Sequence, residues 1–207
     1  MSHAPFKTPA PGTFFASVRH AWNGLIHTVV TQRNMRMHII SAVLVGLVGS
    51  GIPLGLAEKV TLIFCVLLVL FAEMLNSALE QLVDLAIQQF DEKARLTKDA
   101  AAGGVLVLAI GATVIFAAVL VHNADVVLDN LIDVQRQVIW GTPLTICAGV
   151  LMHERKKPLL FDLAVFLLGL WIWAVTVTWS QSLVFSAMLF GMLVVAGAAA
   201  RARRLQP

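Results

Sequence analysis

Four polar residues of one apolar segment have the types and spacing to act together: Glu73, Asn76, Glu80 and Asp84. Successive members are three, four and four residues apart. At about 100° per residue, they fall within an arc of about 80° on one helix face. Carboxylates at membrane depth cost on the order of several kcal/mol and usually serve a function. Three on one stripe also repel one another, which a bound cation or a retained proton would relieve.

The stripe favours a site for magnesium and phosphate. Mg²⁺ prefers carboxylate oxygens and usually shares its coordination shell with phosphate oxygens and water. Glu73, the deepest carboxylate, suits a general base. Lys98, followed by Asp99, is predicted at the N-terminus of the next span, where a lysine and the helix dipole both attract phosphate. Two other interpretations are polar contacts between helices and an ion or proton path in a transporter.

The elements that carry this stripe must lie in a membrane, because the whole chain is apolar. Of its 207 residues, 58% are hydrophobic and 13% are charged, whereas soluble domains are about 25% charged. This composition excludes a soluble fold and disorder. A net charge of +3, on scattered basic residues, argues against a nucleic-acid partner. Cys65 and Cys147 lie in separate apolar runs and form neither a disulfide framework nor a metal-spaced cluster.

Hydropathy predicts an all-α membrane protein with six spans of about 20 residues each. They are 37–56, 59–83, 101–121, 134–152, 159–179 and 183–200. With the N-terminus in the cytoplasm, 13 of the 15 Lys and Arg residues lie on the cytoplasmic side. We therefore expect both termini, and the polar end of the stripe, at the cytoplasmic face of the bacterial inner membrane. No loop is long enough for a separate nucleotide-binding domain.

The first 36 residues predict an amphipathic helix in the cytoplasmic membrane interface. Apolar residues recur at helical spacing, with basic residues among them: Phe14, Val18, Trp22, Leu25 and Val29. The segment lacks the apolar core and cleavage site of a signal peptide. A cytosolic helix that packs on a partner protein is the alternative.

Two stretches together resemble the prokaryotic diacylglycerol kinase and undecaprenol kinase family. The first is Glu73-Met-Leu-Asn76-Ser-Ala-Leu-Glu80-Gln-Leu-Val-Asp84, and the second is Ala94-Arg-Leu-Thr-Lys98-Asp99. Upstream, Ala21-Trp22-Asn23-Gly24 and Arg33-Asn-Met-Arg36-Met-His38 are similar to the family's surface helix and the entry to its first span. The resemblance covers about residues 13–121. It is specific because it joins a long stripe motif to the Lys-Asp pair at a matching separation.

The resemblance implies a lipid kinase domain over residues 1–122, built from a surface helix and three spans. Such proteins are homotrimers with shared active sites, and they transfer the γ-phosphoryl group of MgATP to a lipid hydroxyl. By position, Glu73 would be the general base and Glu80 would bind Mg²⁺. The predicted ATP-binding residues are Asn76, Glu80, Asp84, Lys98 and Asp99, with His20 as a further candidate on the surface helix. The acceptor is expected to be diacylglycerol, with undecaprenol as the alternative.

The sequence departs from the family pattern at Gln32, where well-studied members have a second Mg²⁺-binding glutamate. An amide oxygen can coordinate the metal but brings no charge, so we expect weaker metal binding. A scaffold without catalysis is therefore a further hypothesis. Residues 123–207 lie outside the resemblance and are predicted to be a membrane extension of three spans without a phosphatase pattern. Asp125, Asp129 and Asp133 predict a short helix at the outer surface.

Overall fold

A computed structural model describes residues 13–154 and 157–205, and it confirms the all-α prediction. The helices are α1 (Phe14–Thr31), α2 (Arg33–Ser50), α3 (Leu56–Ala86), α4 (Glu92–His122), α5 (Ala124–Asp129), α6 (Leu131–Met152), α7 (Leu159–Val177) and α8 (Leu183–Leu205). Within the described ranges there is no strand. Lys7, Arg155 and Lys156, which contribute to the predicted charge bias, lie outside these ranges.

Four of the six predicted spans are long and apolar enough to cross a membrane: α3, α4, α7 and α8. The other two, α2 and α6, differ because their ends are polar. Arg33, Arg36 and His38 lie in the first two turns of α2, while α6 contains Asp133 and Arg136. These two helices are also among the most buried, so other helices cover much of their surface. Their role as spans stays a prediction.

The helices form two packing groups. In the first group, α3 and α4 pack mainly against each other, and α4 buries only Val105. In the second group, α2 packs more extensively on α6 and α8 than on α3. The main core lies where α1, α2, α6 and α8 meet, and it includes Met35, Ile39, Leu144 and Leu189. The extension is therefore part of the core that holds α1 and α2.

Glycines allow α2 to approach the extension closely. A Cβ atom on Gly141 of α6 would lie 2.1 Å from Leu47 Cδ2. A Cβ atom on Gly49 would lie 2.6 Å from the ring of Phe185 on α8. Small residues at helix crossings give membrane helices their contact area, because they let the backbones come together.

The predicted N-terminal amphipathic helix is present as α1. The Thr13 side chain caps it by accepting a hydrogen bond from the Ala16 N–H. Ile26 and Val29 are buried, whereas Phe14 and Phe15 are largely exposed. An exposed aromatic pair beside a buried face fits a helix that lies in a membrane interface.

The predicted outer helix of Asp125, Asp129 and Asp133 is divided in two. Helix α5 ends at Asp129, and Asp133 belongs to the first turn of α6. Asn130 lies between the two helices, and its side-chain amide donates to the Val126 carbonyl. This local bond competes with continuation of the helix.

Candidate active site

The polar stripe lies on α3 and runs from buried to exposed. Glu73 and Asn76 are 1% and 4% exposed, Glu80 is half-buried and Asp84 is exposed. The 31 residues of α3 extend the helix past the apolar segment, so that its last turns carry the polar end. The burial gradient agrees with the predicted course of the stripe from the membrane to its surface.

Glu80 is the centre of a small hydrogen-bonded cluster. The Asn76 amide donates to Glu80 Oε1 at 3.0 Å. The Gln32 amide donates to Glu80 Oε2 and to Ser77 Oγ, at 3.4 Å each. The cluster thus joins α3 to the corner between α1 and α2, and it contains two of the predicted ligand positions, Glu80 and Gln32.

Gln32 reaches the stripe because it is the single residue between two helices. Its backbone is extended, with φ −98° and ψ 120°, and its N–H donates to the Thr28 carbonyl at 2.8 Å. Arg36, on the first turns of α2, donates to the Val30 carbonyl at 2.9 Å. These bonds to the last turn of α1 fix the corner, and the corner in turn places the Gln32 side chain.

Glu73 is buried without a hydrogen-bond partner among the described residues. Both of its carboxylate oxygens, and the neighbouring Asn76 Oδ1, are unpaired. Buried polar atoms are nearly always paired, because an unpaired one loses its bonds to water without replacement. An unpaired buried carboxyl in a stripe of polar residues therefore marks a position where a proton or a substrate hydroxyl can bind.

Lys98 forms an ion pair with Asp84 and so connects α4 to α3. The prediction that Lys98 stands at a helix N-terminus is wrong. Helix α4 begins at Glu92, where the Asp91 carboxylate accepts from the Ala94 N–H at 2.9 Å. Lys98 lies in the second turn, so its ammonium group, and not free backbone N–H groups, can attract a phosphate there. The N-terminal cap and a row of charge pairs extend α4 before the apolar segment starts.

Asp99 and His20 are not joined to the stripe in the described residues. Asp99 accepts from Arg95 at 2.7 Å, and Arg95 also pairs with Glu92. All three side chains are at least half exposed. His20 is exposed on α1 and makes no hydrogen bond to α3 within the described ranges. The structure therefore brings together Gln32, Asn76 and Glu80, with Glu73 nearby and the Asp84–Lys98 pair further along α3.

The described residues contain no cluster of three His, Cys, Asp or Glu side chains that could hold a metal alone. Mg²⁺ in phosphoryl-transfer sites usually binds through one or two carboxylates together with substrate phosphates. Glu80, with amide side chains on either side and the unpaired Glu73 two turns away, fits that type of shared site. The donor set is thus compatible with a metal that enters with its phosphate ligand.

Sequence interpretation missed Ser77 and Arg36. Ser77 is fully buried and accepts from Gln32 and, at 3.3 Å, from Gln81. It lies only about 20° beyond Asp84 on the helix wheel, so a slightly wider arc would have included it. Arg36 was noted only as part of a motif, since its bonds to carbonyl groups cannot be read from side-chain periodicity.

Fold and site together define an α-helical membrane protein with a buried carboxylate beside an amide–carboxylate cluster. The family model for prokaryotic diacylglycerol kinase matches residues 19–120. A diacylglycerol kinase of Synechocystis sp. is 40% identical over 100 residues, which are 48% of this chain and 57% of that protein. An undecaprenol kinase of Bacillus subtilis is 35% identical over 97 residues, which are 47% of this chain and 79% of that protein. No solved structure matches the chain. The chain belongs to the prokaryotic diacylglycerol kinase family, a family of membrane lipid kinases.

Proposed function

We propose that the protein transfers the γ-phosphoryl group of MgATP to the hydroxyl group of a membrane lipid. The observation that carries this proposal is Glu73, a buried carboxylate whose oxygens have no partner among the described residues. It lies two helical turns from Glu80, which belongs to the cluster best suited to phosphate-bound magnesium. A general base and a charge-neutralising group are what phosphoryl transfer to an alcohol needs.

In the proposed reaction, Glu73 accepts the proton of the lipid hydroxyl. The hydroxyl oxygen forms a bond to the γ-phosphorus, the bond from that phosphorus to the β–γ bridging oxygen breaks, and ADP leaves. Burial keeps water, a competing acceptor of the phosphoryl group, away from Glu73. Lys98 is placed to attract phosphate oxygens, and Asp84 holds its ammonium group in position. Asn76 positions Glu80 through its amide. Asp99 and His20 are proposed as further nucleotide contacts, made once ATP is bound.

Glu80 and the amide oxygen of Gln32 would hold Mg²⁺. When bound, the ion neutralises phosphate charge and orients the nucleotide. Gln32 would have to turn its amide, because its nitrogen now faces Glu80. Since the amide is neutral, the site depends more on the charge of Glu80 than a site with two carboxylates would.

Diacylglycerol is the favoured acceptor, because the relative named diacylglycerol kinase has the higher identity of the two. Undecaprenol is the second candidate, supported by the relative of that name, of which the match covers 79%. An ion or proton transporter would not need the Asp84–Lys98 pair at the polar end of the stripe. A scaffold without catalysis would gain nothing from an unpaired buried Glu73.

The proposal places the kinase unit in residues 1–122 and the active site at the cytoplasmic face of the inner membrane. Residues 123–207 are then a membrane extension. The family resemblance further implies a homotrimer with shared sites. Among the described residues, α4 buries only Val105, so its apolar surface is open to lipid or to another copy of the chain.

The test is phosphorylation of each lipid by the purified full chain with labelled ATP, in mixed micelles. We expect Glu73→Gln to lower turnover at least about 100-fold, because amide replaces the general base. Glu58→Gln is the matched control, since Glu58 is a half-buried glutamate in the first turn of the same helix, at the end opposite the polar stripe. Full turnover by Glu73→Gln, or an equal loss in both variants, would contradict the proposed role. Labelling of undecaprenol alone would reverse the order of the two acceptors.

A further inference from the structure

A groove runs between the surface helix α1 and the extension helices α7 and α8. Its volume is about 860 Å³. Its apolar lining includes Trp22 and Ile26 of α1, Leu163 and Phe166 of α7, and Val194 and Ala198 of α8. Two of its three walls come from the extension, which lies outside the residues that match the kinase family, and the α1 wall lies inside them.

Basic side chains also line this groove, and two of them lie at the end that the last turns of α8 form. Arg19 and His27 come from α1, and Arg201 and Arg204 come from the last turns of α8. Asp162 is the one carboxylate among the lining residues, and Arg204 already pairs with it. Arg19 and Arg201 are exposed and have no ion-pair partner in the part of the chain that the structure describes. The groove therefore presents positive charge that its own residues do not neutralise.

The residues outside the described ranges, 1–12, 155–156 and 206–207, contain neither Asp nor Glu. Residues 1–12 contain Lys7 and His3 but neither Asp nor Glu, and residues 155–156 are Arg and Lys. These side chains therefore offer the groove no negative charge. Charge complementarity instead selects a negatively charged molecule from outside.

The apolar walls decide what kind of anion fits. A free phosphate ion would leave Leu163, Phe166 and Val194 uncovered, whereas acyl chains would cover them. The basic end lies at the predicted cytoplasmic ends of α7 and α8, which is the depth of lipid headgroups. Basic residues at that depth attract anionic lipids.

We propose that this groove is a binding site for an anionic phospholipid, whose phosphate contacts Arg19 and Arg201 and whose acyl chains lie along α7 and α8. The lipid would join the surface helix to the extension. The inference does not depend on the proposed kinase activity, because no residue of the polar stripe lines the groove.

Native mass spectrometry of the full chain in detergent tests this site. Phosphatidylglycerol is the probe, and phosphatidylcholine with the same acyl chains is the reference lipid. We expect clear retention of phosphatidylglycerol and about a 25-fold loss of affinity in Arg19→Ala/Arg201→Ala, at about fivefold for each arginine. Equal retention of the two lipids by the unaltered chain would overturn the proposal.

The matched charge control is Arg33→Ala/Lys93→Ala, which removes two exposed basic residues outside the groove. It should retain phosphatidylglycerol nearly as well as the unaltered chain. An equal loss of retention in this control would show that phosphatidylglycerol binds through surface charge in general, and it would contradict a specific site in the groove.

A second pair of variants tests the apolar part of the groove. Gly197→Leu should block it, because even a Cβ atom there lies 2.7 Å from the Phe166 ring, which lines the groove. Gly191→Leu lies on the same helix, where a Cβ atom meets nothing within 4 Å. We expect lower phosphatidylglycerol retention in the first variant only, with thermal unfolding as the check that both are folded. Unchanged retention in a folded Gly197→Leu variant would contradict the placement of the acyl chains.

Discussion

Helices α3 and α8 each carry a buried ionisable side chain, but the two side chains differ in their hydrogen bonds. On α3, Glu73 is buried and both of its oxygens are unpaired among the described residues. On α8, Arg203 is buried as well, but it donates to the carbonyls of Leu151, Met152 and His153 at the end of α6. A group that is fully paired stabilises the fold, whereas an unpaired one stays available for a ligand. The number of hydrogen-bond partners thus distinguishes buried polar residues that stabilise the fold from those that can bind a substrate.

The two regions meet at a buried arginine. Arg36 of α2 donates to the last carbonyls of α1 and pairs with Glu154, which follows α6. Arg203 binds the carbonyl groups just before Glu154. The extension thus holds the corner that places Gln32, although it contributes no side chain to the polar stripe itself.

The largest effect on stability is expected for Arg203→Ala. The change leaves the carbonyls at the end of α6 without donors, so we expect a loss of about 3 kcal/mol in unfolding free energy. Thermal unfolding in detergent, followed by circular dichroism, measures the loss. Arg201→Ala is the control, because Arg201 is exposed two residues away and should change stability by no more than about 0.5 kcal/mol. Similar losses in both variants would show that the hydrogen bonds of Arg203 do not stabilise the fold, and Arg203 would then no longer differ from Glu73 in this respect.

A somewhat smaller loss is expected for Gly141→Ala, at the crossing of α6 and α2. The new methyl group would overlap Leu47, and overpacking of this kind costs about 2 kcal/mol. The same change at Gly111 of α4 meets open space and serves as the control. If Gly141→Ala proved as stable as Gly111→Ala, the close packing of the extension on α2 would be contradicted.

Gln32→Glu tests the polar stripe, at the position proposed to bind Mg²⁺ together with Glu80. A second carboxylate beside Glu80 should strengthen metal binding, and we expect half-maximal kinase activity at about tenfold lower Mg²⁺ concentration. A Mg²⁺ titration of lipid phosphorylation measures this shift. Gln81→Glu is the control, since the Gln81 amide donates to Ser77 and, among the described residues, the Glu80 carboxylate accepts from Gln32 and Asn76 instead. No shift, or the same shift in both variants, would contradict the proposal that Gln32 binds Mg²⁺.

The smallest change is expected for Glu154→Gln, which removes the charge that faces Arg36. The Glu154 side chain is 72% exposed, so the stability loss should be about 0.5 kcal/mol. Because Arg36 then holds the α1–α2 corner less firmly, the Mg²⁺ requirement should rise while the kcat at saturating Mg²⁺ is kept. Glu92→Gln provides the comparison on an exposed pair remote from the corner. An unaltered Mg²⁺ titration in Glu154→Gln would show that the extension does not influence the site.

Local periodicity was sufficient to predict much of this molecule. The arc from Glu73 to Asp84 follows from helix geometry alone, and so does the amphipathic α1. Lys98 was placed wrongly because charged residues before an apolar segment read as a loop, whereas their pairing extends α4 to Glu92. The bond from Gln32 to Ser77, and the packing of α2 on α6 and α8, join residues distant in sequence. Such contacts depend on how small residues let helices approach, which a single sequence pattern does not specify.

The one-residue link at Gln32 also has a mechanical consequence. Helix α1 is 18 residues long, or about 27 Å, and its C-terminal end is held at the corner by hydrogen bonds to the Thr28 and Val30 carbonyls. A tilt of about 5° would move the Phe14 end by about 2 Å but would hardly displace Gln32. A change in the tilt of α1 would therefore displace its exposed aromatic end, while Gln32, held beside Arg36, would keep its distance from Glu80.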